Sequence, residues 1–283
     1  MANLAPVEPD QLYPAFLEAF SDYAMDATGT TEASLRLRMQ KNAVNYELSP
    51  GLYDGSRLVG FTLIGIDHWN GETTAFDAGT GIVPGFRKQG WAKRMFDHAL
   101  PALRERGVKR FALEVLKENE PAIHAYRNSG FTVSRQLICY VCVAAVLRAA
   151  ARPRRDTIHP IDRCTFDRLC DSADWVPSFE NRFAAIDALP DIQLHGAFDG
   201  RTCVGALAYS PQLNWLLTLV VARAHRRRGI GRLLLEHLGR RMANGVSHLT
   251  VQNVDRDDAG MQAFFEALGF SHLATQYEMI RPL

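Results

Sequence analysis

Apolar positions along the chain follow two rhythms. Ala92, Met95, Phe96, Ala99 and Leu103 recur at spacings of three and four, the single face of an amphipathic helix. Gly231, Leu234, Leu235, Leu238 and Met242 repeat that face later in the chain. A strand-like segment precedes each helix, 75–83 in the first case and 214–221 in the second. Between strand and helix lies a short basic turn that contains glycine. Residues 11–40 read as two helical pieces, one on Leu12, Phe16 and Ala19, the other on Ala33, Leu37 and Gln40. Asp26-Ala27-Thr28-Gly29 separates them. Strands are expected at 46–53 and 57–66, joined by a tight turn at Asp54-Gly55. After the first amphipathic helix, in which Pro101 should bend the helix or end it early, come a strand at 110–115, a helix near 120–129 and a strand from Phe131. The second half repeats this order: a helix at 164–171, a hairpin turning at Asp199-Gly200, the 214–221 strand, a strand at 247–254, a helix at 258–268 and a last strand. Hairpin strands first and strand–helix units afterwards imply an α/β fold of α+β type, a mixed sheet with helices on both faces.

The repetition is metric as well as qualitative. Arg87 and Arg226 lie 139 residues apart, and so do Phe131 and Phe270. Two features kept at one offset indicate a duplication. The expected domains are 1–147 and 157–283, joined by a basic, proline-containing linker at 148–156.

Composition narrows the options. A length of 283 residues suits two domains with their own cores, and a net charge of +1 argues against a general nucleic-acid binder. Five scattered cysteines and an N-terminus without a signal-peptide pattern suggest a reducing cytoplasm. The longest apolar run, Leu137 to Leu147, is far short of the ~20 residues that cross a bilayer. It reads as a buried terminal strand, and no membrane association is expected.

The chemistry concentrates at the glycine turns. A strand that delivers a glycine turn to a helix N-terminus exposes backbone N–H groups without intrahelical partners at the positive end of the helix dipole, which makes an anion site. In the first half Arg87 and Lys88 add mobile positive charge beside Gln89, Gly90, Trp91 and Ala92. In the second the turn is Val221 to Gly231, with Arg226, Arg227, Arg228, Gly229 and Ile230. A phosphorylated ligand is the expected guest of both.

Ile82, Pro84, Arg87, Gly90 and Ala92, followed by Asn119, Ala122, Tyr126, Gly130 and Phe131, trace the pattern [I/V]-x-P-x-x-R-x-x-G-x-[A/G] and then N-x-x-A-x-x-x-Y-x-x-x-G-F. This resembles the GNAT superfamily of acyl-CoA-dependent N-acyltransferases, and the resemblance covers the chain once per half. It implies two tandem GNAT-like domains, each with a mostly antiparallel central sheet, and acetyl-CoA as cosubstrate. By that resemblance, backbone around Ile82–Val83 pairs with pantetheine and the N–H groups of Lys88 to Ala92 cradle the pyrophosphate. Asn119 hydrogen-bonds pantetheine, and Tyr126 protonates the departing thiolate. The residues agree with this on their own terms, since a phenol with pKa about 10 can give a proton to a thiolate whose acid lies near 8.5. Tyr126 could equally pack in the core, and Asn119 could be a helix N-cap.

The second half departs from the pattern. Phe265 stands in the place of Tyr126, Asp258 in that of Asn119 and Arg223 in that of Pro84. An active first half and a degenerate second are expected. For the base that accepts the amine proton, Asp77 and Glu114 are the candidates, with a water relay as the alternative. Asp22, Tyr23, Asp26 and Arg38 would line an acceptor pocket. Cys139 and Cys142 fall on opposite strand faces, so no metal site is expected. The expected activity is transfer of an acetyl group from acetyl-CoA to a primary amine of a small molecule. A non-catalytic acyl-CoA-binding protein and a protein-lysine or N-terminal acetyltransferase are the alternatives.

Overall fold

The computed structural model describes residues 2–22, 29–150, 157–171 and 173–283. The elements run β1 (Asn3–Pro6), α1 (Pro9–Ala19), α2 (Glu32–Lys41), β2 (Pro50–Asp54), β3 (Arg57–Trp69), β4 (Glu72–Ile82), α3 (Trp91–Glu105), β5 (Arg110–Leu116), α4 (Glu120–Asn128) and β6 (Thr132–Val143). They continue with α5 (Ala144–Ala150), β7 (Ile158–Pro160), α6 (Arg163–Cys170), β8 (Gln193–Asp199), β9 (Thr202–Ser210), β10 (Trp215–Val221), α7 (Ile230–Arg241), β11 (His248–Asp255), α8 (Ala259–Glu266) and β12 (Ser271–Pro282). The architecture is mixed α/β.

The chain divides into two compact units. One holds Met1–Arg135 together with Tyr277–Leu283, the other Gln136–Gln276. The division therefore does not fall at the expected residue 147. The chain leaves the first unit within β6 and returns to it within β12. Of the expected linker, residues 151–156 lie outside the described residues, and Arg148 belongs to α5.

In the first unit β1, β2, β3 and β4 pair antiparallel in order, and β4 then pairs parallel with β5. Residues 277–282 of β12 lie beside β5. Buried Glu278 fixes this last segment, accepting from Arg135 Nη2 at 2.8 Å and from Ser134 Oγ at 2.6 Å. Met279 is fully buried with Phe96, Phe111, Tyr126 and Phe131. The rings of Phe96, Phe111 and Phe131 meet edge-on at 5.4–5.5 Å, contacts worth ~0.5–1.5 kcal/mol each beyond their area. The second unit repeats the scheme. β7, β8, β9 and β10 pair antiparallel, β10 pairs parallel with β11, and β11 pairs antiparallel with residues 137–143 of β6.

Three local expectations are corrected. Residues Tyr46–Leu48 form a 3-10 turn and β2 begins only at Pro50. The Asn45 side chain accepts from Leu48 N–H at 3.2 Å and so competes with strand pairing. The apolar run from Leu137 is strand only to Val143; Ala-Ala-Val-Leu then turns helical in α5, where alanine propensity favours it. Leu147 lies so close to α7 that a Cβ on Gly239 would stand 2.8 Å from its backbone. Pro101 does not end α3, which continues to Glu105 because Leu100 and Leu103, on either side of it, are buried.

Met279→Ala removes a fully buried side chain contributed by the last strand and should cost the first unit about 2–5 kcal/mol. Hydrogen exchange read by mass spectrometry should show faster exchange of β5 amides 110–116 and unchanged β10 amides. Unchanged β5 protection would contradict a stabilising role for this strand.

Candidate functional site

The site is set by an interrupted ladder. β4 and β5 pair over four positions, Thr74 to Asp77 with Arg110 to Leu113, although β4 runs on to Ile82 and β5 to Leu116. The register between β3 and β4 slips at the same place, leaving Ala78 bulged. The Asp77 carboxylate occupies the bulge. Its Oδ1 accepts from Gly79 N–H at 3.0 Å, and its Oδ2 accepts from the Thr80 hydroxyl at 2.8 Å. The Tyr126 hydroxyl donates to the same carboxylate. Asp77 is 5% exposed, and this burial drives its pKa up to about 6, above the ordinary 3.8, against the lowering effect of the Thr80, Gly79 and Tyr126 hydrogen bonds.

Tyr126 packs with its ring and hydrogen-bonds with its hydroxyl. Its ring packs edge-on against Phe96 at 5.9 Å and Phe131 at 6.0 Å, while its hydroxyl meets Asp77. Glu114 is not part of this pair. Leu113 is the register partner of Asp77, so alternation along β5 turns Glu114 to the opposite face of the sheet. Asn119 caps α4, its Oδ1 accepting from Ala122 N–H at 3.2 Å.

β4 leads through a 3-10 turn (Pro84–Phe86) into the glycine turn. Arg87 is extended (φ −71°, ψ 165°), and Lys88 and Gly90 are left-handed at φ 61° and 77°. The second unit repeats this closely, with Arg226 extended (φ −64°, ψ 158°) and Arg227 and Gly229 at φ 64° and 81°. A left-handed lysine or arginine is strained by ~1–2 kcal/mol, and its recurrence in both units marks a built turn. Side-chain oxygens cap α2, α4, α6 and α8. Gly90 and Gly229, by contrast, leave the N-termini of α3 and α7 without a side-chain cap and with no acidic residue in the first turn. Their orphan N–H groups remain for an anion.

The mobile charge expected of Arg87 is corrected. Its guanidinium is held by Asp22, Ile82 O and Ala19 O at 2.7–2.9 Å. Lys88, Gln89 and Gly90 are exposed, and Trp91 and Ala92 are half-buried. Of the expected acceptor cluster, Tyr23 and Asp26 lie outside the described residues. Asp22 is the partner of Arg87, a contact the sequence reading missed.

The Asp77–Tyr126 pair has no counterpart in the second unit: at the 139-residue offset Leu216 and Phe265 stand in their places, and the register of β10 with β11 puts Gln252 where Glu114 stands. Leu216 and Phe265 are buried in the core. Asn253 Nδ2 donates to Ser178 Oγ at 3.1 Å. The glycine turn is kept there, with Val221 at the end of β10 and Ile230 and Gly231 opening α7.

The model of the acetyltransferase (GNAT) family matches residues 10–131 and again 156–270. The chain belongs to the GNAT family of acetyltransferases. It is 40% identical over 74 residues to streptothricin acetyltransferase of Streptomyces lavendulae, an alignment that covers 26% of this chain and 38% of that relative's length. Among solved GNAT structures, a tandem GNAT protein from the clavulanic acid biosynthesis pathway superposes with a TM-score of 0.73 at 16% identity, over 100% of this chain and 98% of that one. A putative acetyltransferase from Pyrococcus horikoshii gives 0.72 at 12% identity, over 100% and 89% of the two chains. At these identities the structures establish the shared fold. No helix among the described residues is long and apolar enough to cross a membrane.

The raised pKa of Asp77 makes a signed prediction. Between pH 3.8 and about 6 the folded state holds a proton that the unfolded state has released, so this group's contribution to stability falls as pH rises through that window and is level above it. The difference from ordinary aspartate corresponds to about 3 kcal/mol. Urea denaturation should show Asp77→Asn gaining about that much on wild type between pH 4 and pH 7. A pH-independent difference would place the carboxylate in a solvated setting.

Proposed function

We propose that the first unit transfers an acetyl group from acetyl-CoA to a primary amine of a small molecule by direct attack. The observation that carries this reading is the Asp77–Tyr126 hydrogen bond on the strand that feeds the uncapped α3 N-terminus. In the reaction the amine nitrogen bonds to the acyl carbon and the carbon–sulfur bond breaks. Asp77 takes the proton that the amine nitrogen loses. Its pKa of about 6 leaves it ionised at neutral pH and makes it a better base than ordinary aspartate. Tyr126 gives its proton to the thiolate. The hydrogen bond between the two side chains then returns the proton from Asp77 to Tyr126, and both are ready for the next turnover. Glu114, on the other face of the sheet, has no part in this scheme.

The N–H groups from Lys88 to Ala92 would hold the pyrophosphate, and the β4 backbone near Ile82 and Val83, beyond the end of its pairing with β5, the pantetheine arm. Asn119 serves as the cap of α4 and lies in reach of the same ligand by the family pattern. The second unit keeps the phosphate turn from Arg226 to Gly231. Leu216 and Phe265 leave it without the proton-transferring pair, which favours a binding or structural role there. A cytoplasmic setting is consistent with this chemistry.

Streptothricin, named by the relative, heads the panel of amines to be assayed. With the amine that is turned over, Tyr126→Phe should lower kcat by about 10²–10⁴-fold while acetyl-CoA still binds. Undiminished turnover would remove Tyr126 as the acid. Native mass spectrometry of acetyl-CoA complexes locates the donor. A bound ligand lost in Gly90→Glu supports the first unit, whereas a single ligand lost only in Gly229→Glu overturns the assignment.

A further inference from the structure

A guanidinium has five N–H groups, and Arg87 has four of them engaged. Nε donates to Ile82 O at 2.9 Å, Nη1 to Asp22 Oδ2 at 2.7 Å, and Nη2 to Asp22 Oδ1 at 2.8 Å and Ala19 O at 2.9 Å. One residue thereby joins the end of α1, the end of β4 and the glycine turn. The second unit has the same arrangement: Arg226 Nε donates to Val221 O at 3.1 Å, and its two Nη atoms donate to Asp174 at 2.8 Å each. Asp22 and Asp174 lie 152 residues apart, not 139. The acid thus comes from a different alignment position in each unit, yet the contact is the same.

We infer that Arg87 is a positioning residue of the donor site and that Asp22, through it, determines donor affinity. Arg87 directly precedes left-handed Lys88 in a turn that is strained and exposed. Fixing the guanidinium at four points holds the backbone of residues 88–92 with its N–H groups set for a phosphate before the ligand arrives, so less ordering remains to be done on binding. The bidentate Asp22 pair supplies both charge and a planar geometry that lysine does not reproduce. The inference rests on the turn being the acetyl-CoA cradle.

The alternative, that Asp22 merely parks a phosphate-binding arginine, predicts the opposite sign. Removing Asp22 would then free a cation and delete an anion near the ligand, and binding would tighten. Acetyl-CoA Kd by calorimetry and steady-state kinetics should be measured for Asp22→Ala, Arg87→Ala, Arg87→Lys and the Asp22→Ala/Arg87→Ala double variant. Asp22→Ala should raise Kd and KM on the order of tenfold, the loss of about one charge-assisted hydrogen bond, with kcat at saturation retained. The double variant should be no weaker than Arg87→Ala, Arg87→Lys should not rescue, and the salt dependence of Kd should match wild type in all four. Tighter binding by Asp22→Ala, or a flattened salt dependence in Arg87→Ala, would overturn the inference. Hydrogen exchange of amides 88–92 in the ligand-free proteins keeps the two readings apart. If the wild type binds no acetyl-CoA, the cradle reading fails on its own, and faster exchange in Asp22→Ala or its absence still decides whether the clamp orders the turn.

Discussion

Parallel pairing between β4 and β5 stops at Asp77 and Leu113, and the placement of the Asp77–Tyr126 pair follows from that stop. Beyond it β4 and β5 no longer pair, and Asp77 is the residue that stands at the change. Its carboxylate takes the Gly79 N–H and the Thr80 hydroxyl, local hydrogen bonds of the kind that draw a backbone away from regular pairing. The group that satisfies the bulge's N–H and hydroxyl donors is therefore the group placed against Tyr126. Burial in that position works against ionisation, and the hydrogen bonds from Thr80, Gly79 and Tyr126 offset only part of the cost. A carboxylate kept there at a stability cost is what makes this position the candidate site of the first unit.

The second unit serves as an internal control. Its β10–β11 pairing stops at Leu216 and Val251, and the register against β9 slips just after Leu216. Bulge and divergence therefore do not require the aspartate. Leu216 joins an apolar core in which Phe265 packs against Tyr140 at 5.6 Å and Phe270 at 5.0 Å. A hydrophobic pair stands in the second unit where the first has a buried ionisable one, a difference that spares the second unit a desolvation cost. What the two units share is the turn geometry and the arginine clamp. What separates them is the Asp77–Tyr126 pair.

The duplication, the helices and the glycine turns were legible in the sequence because each depends on short-range pattern: helical periodicity, a fixed offset, a glycine between strand and helix. Tyr126 and Asp77 were legible singly but not as a pair, since nothing in the spacing of positions 77 and 126 says that a strand bulge and a helix face converge. Glu114 illustrates the limit from the other side: its strand was readable, its face was not. The same holds for Arg87, whose place in the motif suggested a phosphate ligand. Its partner Asp22 follows a helix whose length differs between the units, so the repeat offset passed over it. The return of the last seven residues to the first unit was also out of reach. It depends on long-range packing of Met279 and on the Arg135–Glu278 pair, which local propensity does not encode.

How a chain with a net charge of only +1 would hold a polyanion is a question of geometry more than of charge. The orphan N–H groups at α3 and α7 are neutral dipoles fixed by the helix; they need no long side chain to be immobilised and carry no counter-charge to be displaced. Their weakness is that they work only if the turn before them is held open, and a turn with a left-handed lysine or arginine does not hold itself. Placing the strongest hydrogen-bonding cation of the motif behind the turn, against a carboxylate and main-chain carbonyls, answers that need in both units. The arginine of R-x-x-G is thereby tied to the chain behind the turn in both units, including the one in which Leu216 and Phe265 stand in place of Asp77 and Tyr126.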